Sequence, residues 1–382
     1  MSALAGFVRA DGRVGVRDHV LVLSTVALTN RWAHLAADGT GALVIAGEAL
    51  RGLRGGDAAA QDALMTALVQ HPNVGAALVL TQDAAAARML GGALGDAGKP
   101  VAVAALLDQD GMGNAVSHAR CLLGELADAR SAKREDVGLG ALTLALECGG
   151  SDPTSALASN AAIGRFVDRV IDAGGSAIAS ETVEVIGAEP AVDGRTPDPA
   201  VRRAIAAHIA ARERWHAEDG VDYRGVNPTA ENIEGGLTTL VEKSMGAVAK
   251  TGSRPFVGAL AFAEAPTTPG LHFMDTPFFT PLSFTGMVAA GANLALFGLG
   301  QFNPSASPLA PTVKVCGNAQ TVARWPDAID VDASPVIGGD ATLEAIADLI
   351  EARVVAIANG VPSAAERWGE GQFIMPRNNA PL

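Results

Sequence analysis

Cysteine, aromatic residues and basic charge are all scarce in this chain of 382 residues, and each scarcity removes a class of protein. Three cysteines, Cys121, Cys148 and Cys316, are too few and too scattered for a disulfide framework or a four-thiolate zinc site, and they fit a reducing cytoplasm. Lys and Arg number 28 against 41 Asp and Glu, a formal net charge of −13. Such a balance repels a phosphate backbone and offers no basic stripe, so nucleic acid is excluded as a partner. No apolar run reaches the ~18 residues that span a bilayer, and the N-terminus lacks the charged-then-apolar pattern of a signal peptide. The expectation is a cytoplasmic protein without a membrane partner. None of the seven histidines pairs with another at i, i+4, which removes the helical zinc motif.

A nucleotide site is missing as well. A P-loop needs Gly directly before Lys-Ser/Thr, but Lys243 follows Glu242 and Lys250 follows Ala249. No strand-like run leads into G-x-G-x-x-G at a helix start. No nucleotide cofactor is expected.

What the chain has is small and branched residues: 49% of it is hydrophobic, only 4% aromatic, and glycine occurs 44 times. That suits helices packed on buried strands. Short apolar runs at 19–26, 42–46, 76–80 and 100–107 alternate with helical stretches at 58–70, 83–94 and 114–128. The charged stretch 129–137 reads as a boundary. Beyond it, strands at 139–146, 176–180, 255–262, 292–297 and 312–316 and helices at 160–172, 199–217 and 341–357 repeat the scheme. The fold class is α/β, with two Rossmann-like domains whose parallel-sheet cores are covered by helices, spanning residues 1–130 and 137–382.

Two phrases concentrate polar groups beside paired glycines: Glu147-Cys148-Gly149-Gly150-Ser151-Asp152, and Gly235-Gly236-Leu237-Thr238-Thr239 running on to Glu242-Lys243-Ser244. Glycine lets backbone approach a ligand where a side chain would block it. Ligands in open parallel sheets collect at the carboxyl ends of strands, and Cys148, Glu181 and Glu264 each follow such an end. Asp152, Glu181, Glu184, Glu264 and Asp275 all fall in or beside turns, and hard divalent cations take oxygen ligands of that kind. Any one of them alone would ordinarily cap a helix or face water. Lys243 and Lys250, seven apart, share a face if their segment is helical, either as a solvated face or as a carboxylate clamp or a base with depressed pKa. Cys121 reads as core within its helix, Cys316 stays open between core and ligand, and His19 and His71 read as structural.

In order along the chain, the phrase from Gly6 to Arg17, His71-Pro72-Asn73, Cys148-Gly149-Gly150-Ser151-Asp152, Ser180-Glu181-Thr182-Val183-Glu184, Asn227-Pro228, the second Gly-Gly phrase, Lys250, Phe273-Met274-Asp275-Thr276-Pro277, Thr285 to Asn293 and Pro311 to Val315 resemble the altronate and galactarate dehydratase family. The relative of that family, the large subunit of sulfolactate sulfo-lyase, is similar too. The resemblance implies a lyase that removes water, or in the relative sulfite, from a small hydroxy acid and yields a 2-keto acid. It implies a divalent metal, iron or manganese ahead of magnesium or calcium. Residue reading and resemblance together nominate Lys243, Lys250 and Cys148 as catalytic, Ser151, Asn227, Asn232, Ser244, Asp275 and Thr276 as substrate-binding, and Asp152, Glu181 and Glu184 as metal ligands.

Two departures qualify the resemblance. The dehydratases carry a small N-terminal domain, and its absence here implies a separate small subunit as partner; a homo-oligomer is also expected. Relatives carry Gly-Cys turns where this chain reads Ala46-Gly47-Glu48-Ala49 and Leu80-Thr81-Gln82-Asp83, and Leu28 stands where another cysteine often sits. The rival reading is therefore a non-catalytic binding or regulatory subunit.

Overall fold

The structure, a computed structural model, describes residues 3–47, 52–220 and 227–379. The chain divides into two compact units, one of Gly6–Glu135 with Gln372–Leu382, the other of Met1–Ala5 with Asp136–Gly371.

In the first unit, strands Leu43–Ala46, His19–Ser24, Val74–Thr81 and Val101–Ala105 lie in that order in a sheet whose pairings are all parallel. Val74–Thr81 is buried at every position, as a central strand covered on both faces must be. Helices Asp57–Gln70 and Ala84–Leu94 make crossovers and Met112–Ala129, after the last strand, adds cover, with Asp83 capping the second by accepting from the amide of Ala86. A further helix, Asn30–Ala37, brings Trp32 into the core, where its indole N–H donates to the Ala115 carbonyl at 2.9 Å. Cys121 departs from the expectation of a core residue: it is exposed, its thiol turned along its own helix toward Glu125. Ala115, Ala119, Leu123 and Leu126 form the buried stripe of that helix, and position 121 falls off their period. Leu28 is exposed; Glu48 and Ala49 lie outside the described residues.

The second unit holds seven parallel strands in the order Phe256–Leu260, Gly270–Met274, Ser176–Ala179, Thr143–Gly149, Leu294–Leu299, Thr312–Cys316 and Val331–Asp332. The expected strand at 139–146 begins at Thr143, after a tight turn over Leu139–Ala141, and runs on to Gly149. Gly270–Met274 was not anticipated as a strand. Its run is short, interrupted by His272, yet all five residues are buried because it pairs on both sides. The helix Thr280–Ala289 follows it and packs Phe284 edge-on against Phe297, ring centroids 5.5 Å apart. Helix Ala161–Asp172 buries Ile163, Phe166, Val167 and Val170, the face its spacing anticipates.

Candidate active site

Four strands of the larger sheet release the residues of one region from their carboxyl ends: Thr143–Gly149 leads into Gly150 and Ser151, Ser176–Ala179 into Glu181, Gly270–Met274 into Thr276, and Leu294–Leu299 into Gln301. Parallel pairing puts all their carboxyl ends on one side, which is why the region forms there. The backbone is adapted to it. Gly150 has φ +58°, where a Cβ would run into the Gln301 backbone, and Gly150 accepts the Gln301 amide at 2.7 Å. Among the described residues Glu181 is one of two non-glycine residues with positive φ, at 59°. Left-handed backbone at such a residue costs on the order of 1–3 kcal/mol and is retained where surroundings over-determine it. Here they do: the Glu181 amide donates to Thr276 Oγ1 at 2.8 Å, and Thr182 Oγ1 donates to Asp275 Oδ1 at 2.6 Å.

The centre is a set of buried ionisable groups. Glu147, Glu181 and Glu184 each offer a carboxylate oxygen within 4.8 Å of the others. Lys250 Nζ donates to Glu184 Oε2 at 2.8 Å and lies 3.2 Å from Cys148 Sγ, while Lys243 Nζ stands 3.5 Å from Glu184 Oε1. Both lysines come from one helical segment, Leu240–Ala249 with Lys250 as its cap residue, started by a reciprocal Thr239–Glu242 capping box. Lys243 also donates to Asn227 Oδ1 at 2.6 Å.

Electrostatics divide the three acids. Burial pushes Glu147 up to about 8, with Lys250 pulling it down and Glu184 pushing it further up. Burial likewise raises Glu181 well above the carboxylate range, helped by the charges of Glu147 and Glu184. Glu184 is buried too, but Lys250 and Lys243 outweigh that and hold it below its ordinary value. Burial disfavours charge on Lys250, yet Cys148, Glu184 and Glu147 around it raise it well above the lysine range. Burial, with the charge of Glu184, lifts the Cys148 thiol to about 12. Cys148 is thus a neutral thiol that donates to Glu184 at 3.2 Å, not a thiolate nucleophile.

Above this centre opens a cleft of about 470 Å³. Cys148, Ser151, Glu181, Glu184, Asn232 and Lys243 line it, so six of the residues nominated from sequence meet at one place. Asn227 reaches it through its bond to Lys243. Others nominated are nearby but spoken for. Lys250 is 2% exposed and lies beneath the cleft wall. Thr276 and Asp275 hold the Glu181 turn, Asp275 also taking the Arg212 guanidinium at 3.0 Å, and Ser244 donates to the Ile186 carbonyl at 2.7 Å. Asp152 is outside the acid cluster: Oδ1 accepts from the Thr154 and Ser155 amides and the Thr154 hydroxyl, and Oδ2 from Asn318 Nδ2 at 2.8 Å. It starts the next helical segment, as a turn Asp ordinarily does. Glu264, read as a strand-end carboxylate, is exposed and accepts from the amide of Ala261.

Glu147 is the residue sequence reasoning passed over. Its signal was a lone carboxylate inside an otherwise apolar buried strand, an arrangement rare unless the charge is paired or put to use. Its Oε2 accepts from Ser283, which also bonds Ser180, while its Oε1 and that of Glu181 have no hydrogen-bond partner. The aromatic and amide wall of Phe278, Phe279, Phe302, Gln301 and Asn303 carried no sequence signal, being loop residues assembled from two distant strand ends.

A helix-covered parallel sheet with a buried acid, amine and thiol cluster under a polar cleft is the construction of a small-molecule enzyme. Comparison with known proteins agrees. Residues 139–380 match the family described as D-galactarate/Altronate dehydratase, C-terminal, and residues 6–131 match D-galactarate dehydratase/Altronate hydrolase, second domain. The chain belongs to the galactarate/altronate dehydratase family and is an altronate/galactarate dehydratase-like enzyme. It is 31% identical to (2R)-sulfolactate sulfo-lyase subunit beta of Chromohalobacter salexigens, over 97% of this chain and 96% of that one. It is 31% identical to altronate dehydratase of Escherichia coli K12, over 94% of this chain and 74% of the relative, and 30% identical to altronate dehydratase of Bacillus subtilis 168, over 86% and 68%. Among the described residues no helix is long and apolar enough to cross a membrane.

Proposed function

We propose that the protein is a metal-dependent hydro-lyase that eliminates water from a small sugar acid or other hydroxy acid, giving a 2-keto acid after tautomerisation. The observation that carries this reading is the trio of buried carboxylates, two of them with an unpartnered oxygen, set beside a lysine that faces the cleft.

The donor set fits a hard divalent cation. Buried carboxylate oxygens without partners are costly unless something occupies them, and three oxygen donors suit iron(II), manganese, magnesium or calcium better than a soft metal. Glu147, Glu181 and Glu184 would hold it. Charge is compatible with the same assignment: burial raises Glu147 and Glu181, a divalent cation would displace their protons, and three carboxylates, two ammoniums and the cation would then sum to one positive charge, which a substrate carboxylate neutralises. When bound, the metal supplies Lewis-acid stabilisation of the charge that develops as the proton alpha to the carboxylate leaves.

The protein groups have separable tasks in this reading. Lys243 Nζ meets the substrate carboxylate, its ammonium oriented by Asn227 Oδ1 and Glu184 Oε1. Lys250, kept protonated, fixes Glu184 from beneath and is a positioning residue. Ser151 and Asn232 form the wall beside Cys148, with Asn232 Nδ2 donating to the Ser151 carbonyl at 3.0 Å.

The near full-length match to a sulfo-lyase subunit favours a second reading, release of sulfite from a sulfonated hydroxy acid, and a small partner subunit in either case. One assay separates them. The purified chain, supplied with iron(II) or manganese and with a candidate small subunit, is offered aldonates, aldarates and sulfolactate. Keto-acid formation without sulfite supports the dehydratase, sulfite release the alternative. Absence of any product from all three classes rejects both.

A further inference from the structure

The first unit has two clefts of its own, and they meet on one residue. One, of about 370 Å³, is lined by Arg9, Arg13 and Lys99 with Asp11 and Asp96. The other, of about 400 Å³, is lined by Arg9, Lys99, Arg130 and Lys133 with Asp18 and Glu135. In a chain of net charge −13, cations outnumber carboxylates in both linings, three to two and four to two. We infer that Lys99 is the centre of an anion site that takes a phosphate group, free or carried on a small molecule.

Lys99 stands just before the strand Val101–Ala105, at the amino end of the sheet, whereas ligands of parallel sheets ordinarily collect at the carboxyl ends. The gathering of charge here is therefore local in origin. Lys99 Nζ donates to the carbonyls of His71 and Val74 at 2.7 and 2.8 Å, which takes two of the ammonium's three N–H groups. Carbonyls accept these protons but bring no counter-charge. Arg9 commits three of its five N–H groups, to Asp18 Oδ1 and to the carbonyls of Pro72 and Arg17. Arg130 gives Nε and Nη1 to Ala127 and Asp18 and keeps Nη2. Donors thus remain on several sides of Lys99, and Lys133 adds an exposed ammonium at the second cleft.

A phosphate group suits this arrangement better than a carboxylate, because its oxygens accept from several directions at once and it carries up to two charges. Both volumes lie in the range of small-molecule sites, about 300–1,000 Å³, so the body of a phosphomonoester fits as well. Burial and the charges of Arg9 and Arg13 push Lys99 down to about 7, against the pull of Asp11 and Asp18. An anion among these groups opposes that shift by supplying the negative charge that the ammonium lacks.

Isothermal titration of the full chain with inorganic phosphate and with a sugar monophosphate, at constant ionic strength in chloride, tests the site. Binding should weaken about tenfold or more in Lys99→Met. It should weaken about threefold in Lys133→Gln, an exposed position whose replacement leaves the fold intact. Tighter binding of the monoester assigns the site to a phosphorylated small molecule, and equal binding assigns it to free phosphate. Sulfate, which holds no proton near neutrality, adds a readout that a purely structural Lys99 would not move. At about pH 8 its binding should draw up to about one proton onto Lys99, seen as a heat that varies with the ionisation enthalpy of the buffer. Should Lys99→Met not fold, Lys133→Gln and this proton count carry the test. No binding of either phosphate, an affinity unchanged in either variant, or no proton uptake overturns the inference.

Discussion

Lys250 Nζ lies 2.8 Å from Glu184 Oε2, and both side chains are 2% exposed, so this ion pair is sealed beneath the cleft rather than displayed in it. Lys243, earlier on the same helical segment and beside the same carboxylate, lines the cleft. The two lysines should therefore fail differently. Lys250→Met leaves Glu184 without its closest counter-charge and should cost about 3 kcal/mol of stability, seen as a lower urea midpoint. Lys243→Ala should lower kcat about a hundredfold or more while costing about 1–2 kcal/mol, because it deletes charge stabilisation in the reacting site. Near-wild-type kcat in Lys243→Ala would remove that residue from the chemistry.

The acid trio makes a binding prediction that needs no substrate. Manganese or iron(II) at a hundredfold excess over its Kd should stabilise the protein by about 2.7 kcal/mol, read as a rise in Tm. Glu147→Gln and Glu181→Gln should both abolish the rise. A shift that survives in both variants places the metal elsewhere.

Lys99 offers a pH test within the first unit, which does not carry the cleft. Burial, aided by the charges of Arg9 and Arg13, pushes it down to about 7, against the opposing pull of Asp11 and Asp18. Its Nζ donates to the carbonyls of His71 and Val74 at 2.7 and 2.8 Å. Between about pH 7 and its ordinary value of 10.5 the unfolded chain holds a proton the folded one has lost, so stability rises with pH across that window and is flat below it. Relative to Lys99→Met, the wild type should gain about 1–2 kcal/mol from about pH 7 to about pH 9, measured by amide exchange in the strand Val74–Thr81. A gap that does not change with pH contradicts the shift.

Gly150 should tolerate no side chain. Its φ is +58°, and a Cβ there would stand 2.8 Å from the Gln301 carbonyl carbon and 3.2 Å from its Cα. Gly150→Ala is expected to destabilise by about 2–4 kcal/mol and to displace the cleft wall that Gln301 carries. Thermal unfolding together with a ligand titration checks both effects.

The alternation of apolar runs with helical stretches was legible because parallel strands covered on both faces are nearly continuous Val, Ile, Leu and Ala, and that pattern is local. Cys148 and Glu181 could be placed at strand ends for the same reason, and Lys243 and Lys250 on one face from their spacing. Asp152 was legible only as a turn residue. Whether such an Asp binds an ion or caps a helix depends on which amides lie within reach, and those of Thr154 and Ser155, with Asn318 from far along the chain, claim it.

The sequence by itself determined the class of fold and which segments end in polar phrases, since period and glycine content act over a few residues. Only the tertiary structure decided that Gly270–Met274 pairs with Ser176–Ala179, bringing Thr276 to the Glu181 amide, and that Glu147 on the neighbouring strand meets Glu181 and Glu184. Strand order is set by long-range pairing and by the burial of whole faces, which no window of sequence contains. The charge each acid carries depends in turn on the neighbours that this order supplies: Glu184 stays ionised because two lysines reach it, and Glu147 and Glu181 are raised because burial outweighs the lysines.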